Sequence, residues 1–240
     1  FARVASRSVA VSPRYIARSD FNLAHLGPAR LRPYKGLTGL IRQIARAIRK
    51  ARSPSYVYAY WPGLDSLGHA RGIDSPESVA HLSALEQHIG VLTEALAGTD
   101  TALLISADHG QIDTVPGDLT DLADHPDLAD CLHIPLCGEP RAAFCYVRPD
   151  RVDAFERYCT TVLGERFALH PSRALMEEGL FGPGPPHPRL AERIGDYTLL
   201  ARGNNVIRDP LPFDKPFTQV GVHGGLSNAE LRVPLCLLRC

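Results

Sequence analysis

Two short runs rich in β-branched and aromatic residues, Ser55–Trp61 (SYVYAYW) and Thr101–Ser106 (TALLIS), bracket one helical pattern, and this arrangement admits few folds. Between them Val79, Leu82, Leu85, Ile89, Leu92 and Leu96 recur at helical spacing, and the stripe stops before Gly98. Asp74 reads as the cap, with Pro76 in the first turn and Glu77 three residues after the cap, so a helix is predicted from about Ser75 to Ala97. Strand, helix and strand in that order predict a right-handed crossover, which brings the carboxyl ends of both strands to one sheet edge.

Further apolar runs lie at Ser8–Pro13, Arg141–Val147, Tyr197–Ala201 and Leu231–Leu238, with helical patterns between several of them. The alternation predicts an α/β fold, a three-layer α/β/α sandwich with a mostly parallel central sheet. From residue 116 to about 216 the chain is rich in Pro and Gly, with GLFGPGPPHPRL the clearest loop. It reads as an irregular excursion carrying a few strands, placed to act as a lid. At 240 residues the chain is long enough for one large domain with its own core.

The formal charge is zero, but the first 52 residues hold 12 of the 26 basic side chains and a single acid, Asp20. Much of the excess sits on GLTGLIRQIARAIRKAR, where Leu37, Leu40, Ile41, Ile44 and Ile48 alternate with Arg42, Arg46, Arg49 and Lys50. This spacing predicts a sheet-covering helix with a solvated basic face. Nucleic-acid binding through that face is a rival with only charge behind it, and no specific binding is expected.

Six cysteines (Cys131, Cys137, Cys145, Cys159, Cys236 and Cys240) form no CxxC pair and no zinc-ribbon spacing. They read as buried or incidental thiols, and a domain of this size needs no disulfide framework, which points to a reducing, cytoplasmic compartment. No apolar run reaches the roughly 18 residues of a membrane helix, and no signal peptide is recognisable.

The chemistry-bearing residues follow the strands. WPGLDSLGHARG, after the first bracketing strand, supplies Asp65 and His69; ADHG, after the second, supplies Asp108 and His109. In QVGVHGGLSNAE, His223 sits among glycines, which let the backbone turn sharply and approach closely. Carboxylate oxygens and imidazole nitrogens suit zinc and similar divalent ions. Five such groups exceed a single catalytic ion with three protein ligands and fit part of a two-metal site, whose ions stand roughly 3.5–4 Å apart.

The pattern D-x-x-x-H (Asp65, His69), strand-D-H-G (Asp108, His109) and H-G-G (His223) resembles the alkaline phosphatase superfamily. It is most similar to the nucleotide pyrophosphatase and type I phosphodiesterase branch of bacterial type. YAYWPGLDSLGHARGIDSPE, ISADHGQID, GEPRA, RIGD and GVHGGLSNAELRVPL carry the likeness across nearly the whole chain. The resemblance implies hydrolysis of a small-molecule phosphoric ester, a phosphodiester or nucleotide pyrophosphate, with two divalent ions, Zn2+ or alternatively Mn2+. It implies that Asp65, His69 and His223 hold one ion and that Asp108 and His109 contribute to the other.

The sequence departs from the family where a further Asp after the first strand and a Thr or Ser nucleophile at a helix start are expected. Ser12 and Thr38 lack that context, and Asp20 does not end an apolar strand. Residues 1–240 therefore read as the C-terminal portion of one catalytic domain, little active alone, with the nucleophile outside the chain. Rivals within the superfamily are a phosphomonoesterase, a phosphoglycerate mutase, which would bring a large inserted domain, and a sulfatase, which would need Cys or Ser in a CxPxR or SxPxR context. A non-catalytic metal-binding remnant is the rival from another class. Six further histidines (His81, His88, His125, His133, His170 and His187) read as structural or boundary residues. Glu139 and Arg141 of GEPRA read as partners of one another or of the substrate, the structural role being preferred.

Overall fold

A computed structural model describes residues 6–240. Its strands are β1 (Arg7–Pro13), β2 (Arg30–Tyr34), β3 (Ser55–Ala59), β4 (Ala102–Ser106), β5 (Ile112–Asp113), β6 (Leu119–Asp121), β7 (Cys137–Glu139), β8 (Ala142–Cys145), β9 (Phe167–Pro171), β10 (Tyr197–Ala201), β11 (Val206–Arg208), β12 (Gly221–Val222) and β13 (Leu235–Arg239). The helices are α1 (Asp20–Leu26), α2 (Gly36–Arg49), α3 (Gly63–Arg71), α4 (Pro76–Leu96), α5 (Pro126–Ala129), α6 (Val152–Thr161), α7 (Ser172–Glu177) and α8 (Asn228–Leu231). The chain divides into two compact units, one taking residues up to Leu67 with Asp74–Ser106 and Pro234–Cys240, the other Gly68–Ile73 with Ala107–Val233.

In the first unit β1 lies between β2 and β3, parallel to both, and β4 pairs antiparallel with β13. The sequence expectation of an α/β chain with parallel strands holds. The recorded partner of β4 is β13, however, not the strand at the other end of the expected crossover. Strand β2 was not anticipated, because RLRPY carries two arginines and a proline and shows no apolar alternation. Helix α2 packs on this sheet as expected: Leu40, Ile41, Ile44 and Ala47 are buried with Val9, Val11, Leu92 and Leu96, while Arg42, Arg46, Arg49 and Lys50 stay exposed.

Helix α4 forms where the pattern placed it, but Ser75 caps it rather than Asp74: the Ser75 hydroxyl accepts from the Ser78 N–H at 3.1 Å. Its apolar stripe divides. Leu92 and Leu96 are buried, whereas Val79 and Leu82 are more than half exposed, so helical spacing located the face without locating its cover. Periodicity reports a helix's own sidedness, and burial depends on what other elements bring to that side.

The second unit contains most of the segment expected to be irregular. Four strands form an antiparallel sheet in the order β7-β8-β10-β9, backed by α6. Its core is a continuous cluster of Leu122, Leu128, Cys145, Phe155, Cys159, Phe167, Leu199 and neighbours. GLFGPGPPHPRL remains an exposed loop. No disulfide forms among the described cysteines: Cys131, Cys145 and Cys159 are buried and Cys137 and Cys236 exposed. Burial pushes the Cys159 thiol up to about 12, with neighbouring Cys131 and Glu156 adding to it. Burial likewise holds Cys145 well above its ordinary value. Among the described residues no helix is long and apolar enough to cross a membrane.

Candidate active site

Helix α3 carries Asp65 and His69, and four residues is the spacing that stacks two side chains on one helical face. The helix ends at Gly72, which adopts φ +94°, and the following N–H, of Ile73, donates to Asp113 Oδ1 at 2.8 Å. Gly68 lies against Gln111, whose Oε1 would stand 1.9 Å from a Cβ there, and a Cβ on Gly221 would lie 2.5 Å from the Gly68 carbonyl. Backbone thus meets backbone. This contact lets Val220 N–H donate to the His69 carbonyl at 2.8 Å, while His69 Nδ1 lies 2.7 Å from the Gly221 carbonyl. A carbonyl only accepts, so Nδ1 carries the proton, and in the neutral ring Nε2 is then the acceptor atom. Metal-binding histidines are oriented in this way.

Strands β12 and β5 pair antiparallel, and His223 follows β12 directly. Gly224 takes φ +106°, a conformation costly for any residue with a Cβ, and turns the chain back toward Gly225. The His223 ring lies with its centroid 5.1 Å from that of His69 and stacks on His109 at 3.6 Å with an 18° interplanar angle. Ligand atoms of Asp65, His69 and His223 all lie within 4.8 Å of one another. One carboxylate oxygen and two imidazole nitrogens form a donor set suited to zinc, near enough for a single ion to draw together.

Asp108 and His109 stand outside that trio. His109 Nδ1 donates to the Gly110 carbonyl at 3.0 Å, and its Nε2 lies 3.7 Å from Asp108 Oδ1, too far for a hydrogen bond. The Asp108 side chain is 67% exposed. The pair therefore presents a second oxygen–nitrogen donor set, attached to the first through the His109–His223 stack.

Arg141 takes the structural role preferred for it, but with another partner. It pairs neither with Glu139 nor with solvent, but lies fully buried against Glu230, with Nε 2.7 Å from Oε1 and Nη2 2.9 Å from Oε2. Its other donors reach the carbonyls of Asn205 (2.7 Å) and Gly203 (3.0 Å). Glu230 also accepts from the Gly225 N–H and the Ser227 hydroxyl, at 2.7 and 2.6 Å. Burial alone would push the Glu230 carboxyl up, but the hydrogen bonds from Arg141, Ser227 and Gly225 together hold it below the usual carboxylate range. Sequence reading passed over Glu230. Its only signal is the capping-box spacing Ser227-x-x-Glu230, which announces the start of α8 and says nothing of a buried arginine.

Four of the six further histidines take structural partners. Trp61 Nε1 donates to His81 Nε2 at 2.9 Å, His88 Nδ1 donates to the Ala84 carbonyl, and His125 Nδ1 meets the Tyr158 hydroxyl at 2.8 Å. His187 accepts from the Arg189 N–H, His170 lies within β9, and His133 is exposed. Thr38 lies on α2 with its hydroxyl 3.4 Å from His88 Nε2, Ser12 accepts from Asn22 Nδ2 at 3.2 Å, and Asp20 opens α1.

Residues 2–209 match the sequence profile of the type I phosphodiesterase / nucleotide pyrophosphatase family. The chain belongs to that family. Asp65, His69, Asp108 and His109 fall inside the matched span and His223 lies beyond it. No curated protein matches the sequence significantly. Among solved structures, murine ectonucleotide pyrophosphatase/phosphodiesterase 5 in complex with AMP is similar, with a TM-score of 0.69 and 17% identity over 96% of this chain and 59% of that one. The human counterpart gives 0.68 and 16%, over 96% and 60%. Phosphonoacetate hydrolase from Sinorhizobium meliloti 1021 in complex with phosphonoformate gives 0.63 and 16%, over 97% and 65%. These likenesses establish the α/β fold of the phosphodiesterase family, and the chain spans about three fifths of the length of the ectonucleotide pyrophosphatase structures it matches.

Proposed function

We propose that this chain forms the metal-binding part of a hydrolase acting on phosphoric esters, with phosphodiesters or nucleotide pyrophosphates as the substrate class. The observation that carries the reading is the convergence of Asp65, His69 and His223 within 4.8 Å, beside the stacked His109. Asp65, His69 and His223 hold one divalent ion, and Asp108 with His109 contributes to a second; zinc suits the donors best and manganese is the alternative. When bound, such ions supply Lewis-acid stabilisation of charge on a phosphoryl oxygen.

The chain's own residues supply orientation and charge. The Gly221 carbonyl orients the His69 ring by accepting from Nδ1. Asp65 and Asp108 contribute the negative charge that divalent cations need. No Thr or Ser of this chain is assigned as nucleophile: Ser12 and Thr38 lie in hydrogen bonds of β1 and α2, and the attacking hydroxyl comes from outside these residues. AMP and phosphonoformate in the related structures support a phosphorus oxyanion as the group held.

Calorimetric titration with Zn2+ tests this reading. One saturable high-affinity site is expected, abolished by His223→Ala, with little turnover of bis(4-nitrophenyl) phosphate. Absence of saturable uptake would sink the metal assignment. Robust zinc-dependent turnover abolished by Asp65→Ala would instead place a nucleophile inside the chain.

A further inference from the structure

The buried Arg141–Glu230 pair reaches both histidine-bearing turns through Glu230, while Arg141 also donates to the Asn205 and Gly203 carbonyls. Glu230 Oε1 accepts from Gly225 N–H at 2.7 Å, two residues after His223, and the Glu230 carbonyl accepts from Gly110 N–H at 2.8 Å, next to His109. One residue therefore grips the H-G-G turn with its side chain and the D-H-G turn with its backbone. The glycines permit this closeness: a Cβ on Gly225 would lie 2.9 Å from Glu230 Oε2 and 3.0 Å from Arg141 Nε, and one on Gly110 would lie 1.9 Å from the Ala229 carbonyl.

We infer that Arg141 and Glu230 are positioning residues for His223 and His109, setting the stack of the two rings and through it the affinity for divalent metal. The inference rests on the metal reading proposed above for its second half only. A buried ion pair contributes little net stability relative to an apolar replacement of equal volume, so stability alone does not account for one here. Its geometric value is larger. The guanidinium plane fixes the carboxylate through two parallel bonds, and each carboxylate oxygen accepts a second bond, Oε1 from the Gly225 N–H and Oε2 from the Ser227 hydroxyl. Changing residues that orient metal ligands typically costs about 10- to 100-fold in metal affinity.

The test compares wild type, Glu230→Gln and Arg141→Lys, each confirmed folded by circular dichroism, by Co2+ titration followed through visible d–d absorption. The expected result is a loss of about 10- to 100-fold in Co2+ affinity with an altered absorption envelope. In the metal-free chain, displaced imidazole proton–nitrogen correlations of His109 and His223 are also expected. Folded variants that keep the wild-type affinity, envelope and imidazole resonances overturn the inference and leave the pair purely structural. Should either single variant fail to fold, the volume-conserving pair Arg141→Met/Glu230→Leu takes its place, with the same losses expected and their absence equally decisive. His223→Ala keeps the two readings apart: if wild type takes up no Co2+, or the alanine variant takes it up equally, the metal assignment fails, while the imidazole resonances still decide whether the pair positions the rings.

Discussion

The two units handle their strands in opposite ways. In the first, Leu104 on β4 and Leu235 and Leu237 on β13 are each more than 60% exposed, and the two strands meet only as a pair within their recorded sheet. In the second, the antiparallel sheet closes over a core in which Phe155, Leu128, Cys145 and Leu199 are fully buried, and even a charged pair is sealed from water. Both units have a buried core, but β4 and β13 of the first leave leucines in solvent, whereas the unit holding His69, His109 and His223 also buries a charged pair. An imidazole can be aimed only by a backbone that does not move, and such a backbone needs interior contacts behind it.

Substitutions can sharpen that contrast. The largest effect is expected from Arg141→Ala, which strands the Glu230 carboxylate in the interior and should cost about 3–5 kcal/mol in urea unfolding. Phe155→Ala should cost a similar amount, about 3–5 kcal/mol, by opening a cavity in the same core. Gly110→Ala comes next. Its Cβ meets a carbonyl rather than a flexible side chain, so about 1–3 kcal/mol is expected, with weakened zinc uptake measured alongside. At the small end, Leu237→Lys on the exposed strand should change stability by no more than about 0.5 kcal/mol while lowering the tendency to associate, read by light scattering. A large loss at Leu237 or a negligible one at Arg141 would break the comparison.

Acid sharpens it further. The Glu230 carboxyl titrates below its ordinary value of 4.5 in the folded chain, so its stabilisation is complete above that value and is lost as pH falls through the lower, folded one. The stability gap between wild type and Glu230→Gln should therefore narrow as pH is lowered from 5 toward 3, measured by denaturant midpoints. A gap that widens would mean that another group dominates.

The α/β class and the nearness of Asp65, His69 and His223 were legible in the sequence, and the packing behind them was not. Asp65 and His69 announce themselves because a helix converts a four-residue interval into adjacency, and His223 does so because its flanking glycines mark a forced turn. Strand β2 stayed hidden behind its arginines and proline, and β7 and β9 behind short lengths set among turn residues, whereas β8 and β10 fall on the runs at Arg141–Val147 and Tyr197–Ala201. Glu230 could not be recognised because its partner lies 89 residues away, and no local pattern encodes a contact at that distance. The split of the α4 stripe has the same origin: Val79 and Leu92 look alike in sequence and differ only in what packs on them.

Gly68, Gly110, Gly221 and Gly225 have a consequence for recognising relatives. Each occupies a point where a neighbouring atom would stand within 3 Å of an added Cβ. Together they form an imprint of the site taken from behind, recording where a neighbouring backbone (Gly110, Gly221) or side chain (Gly68, Gly225) must approach closely. A relative that keeps the aspartates and histidines but carries larger residues at those four positions would have to hold its turns elsewhere. One that keeps the glycines after losing its ligands would still fold around the same empty mould.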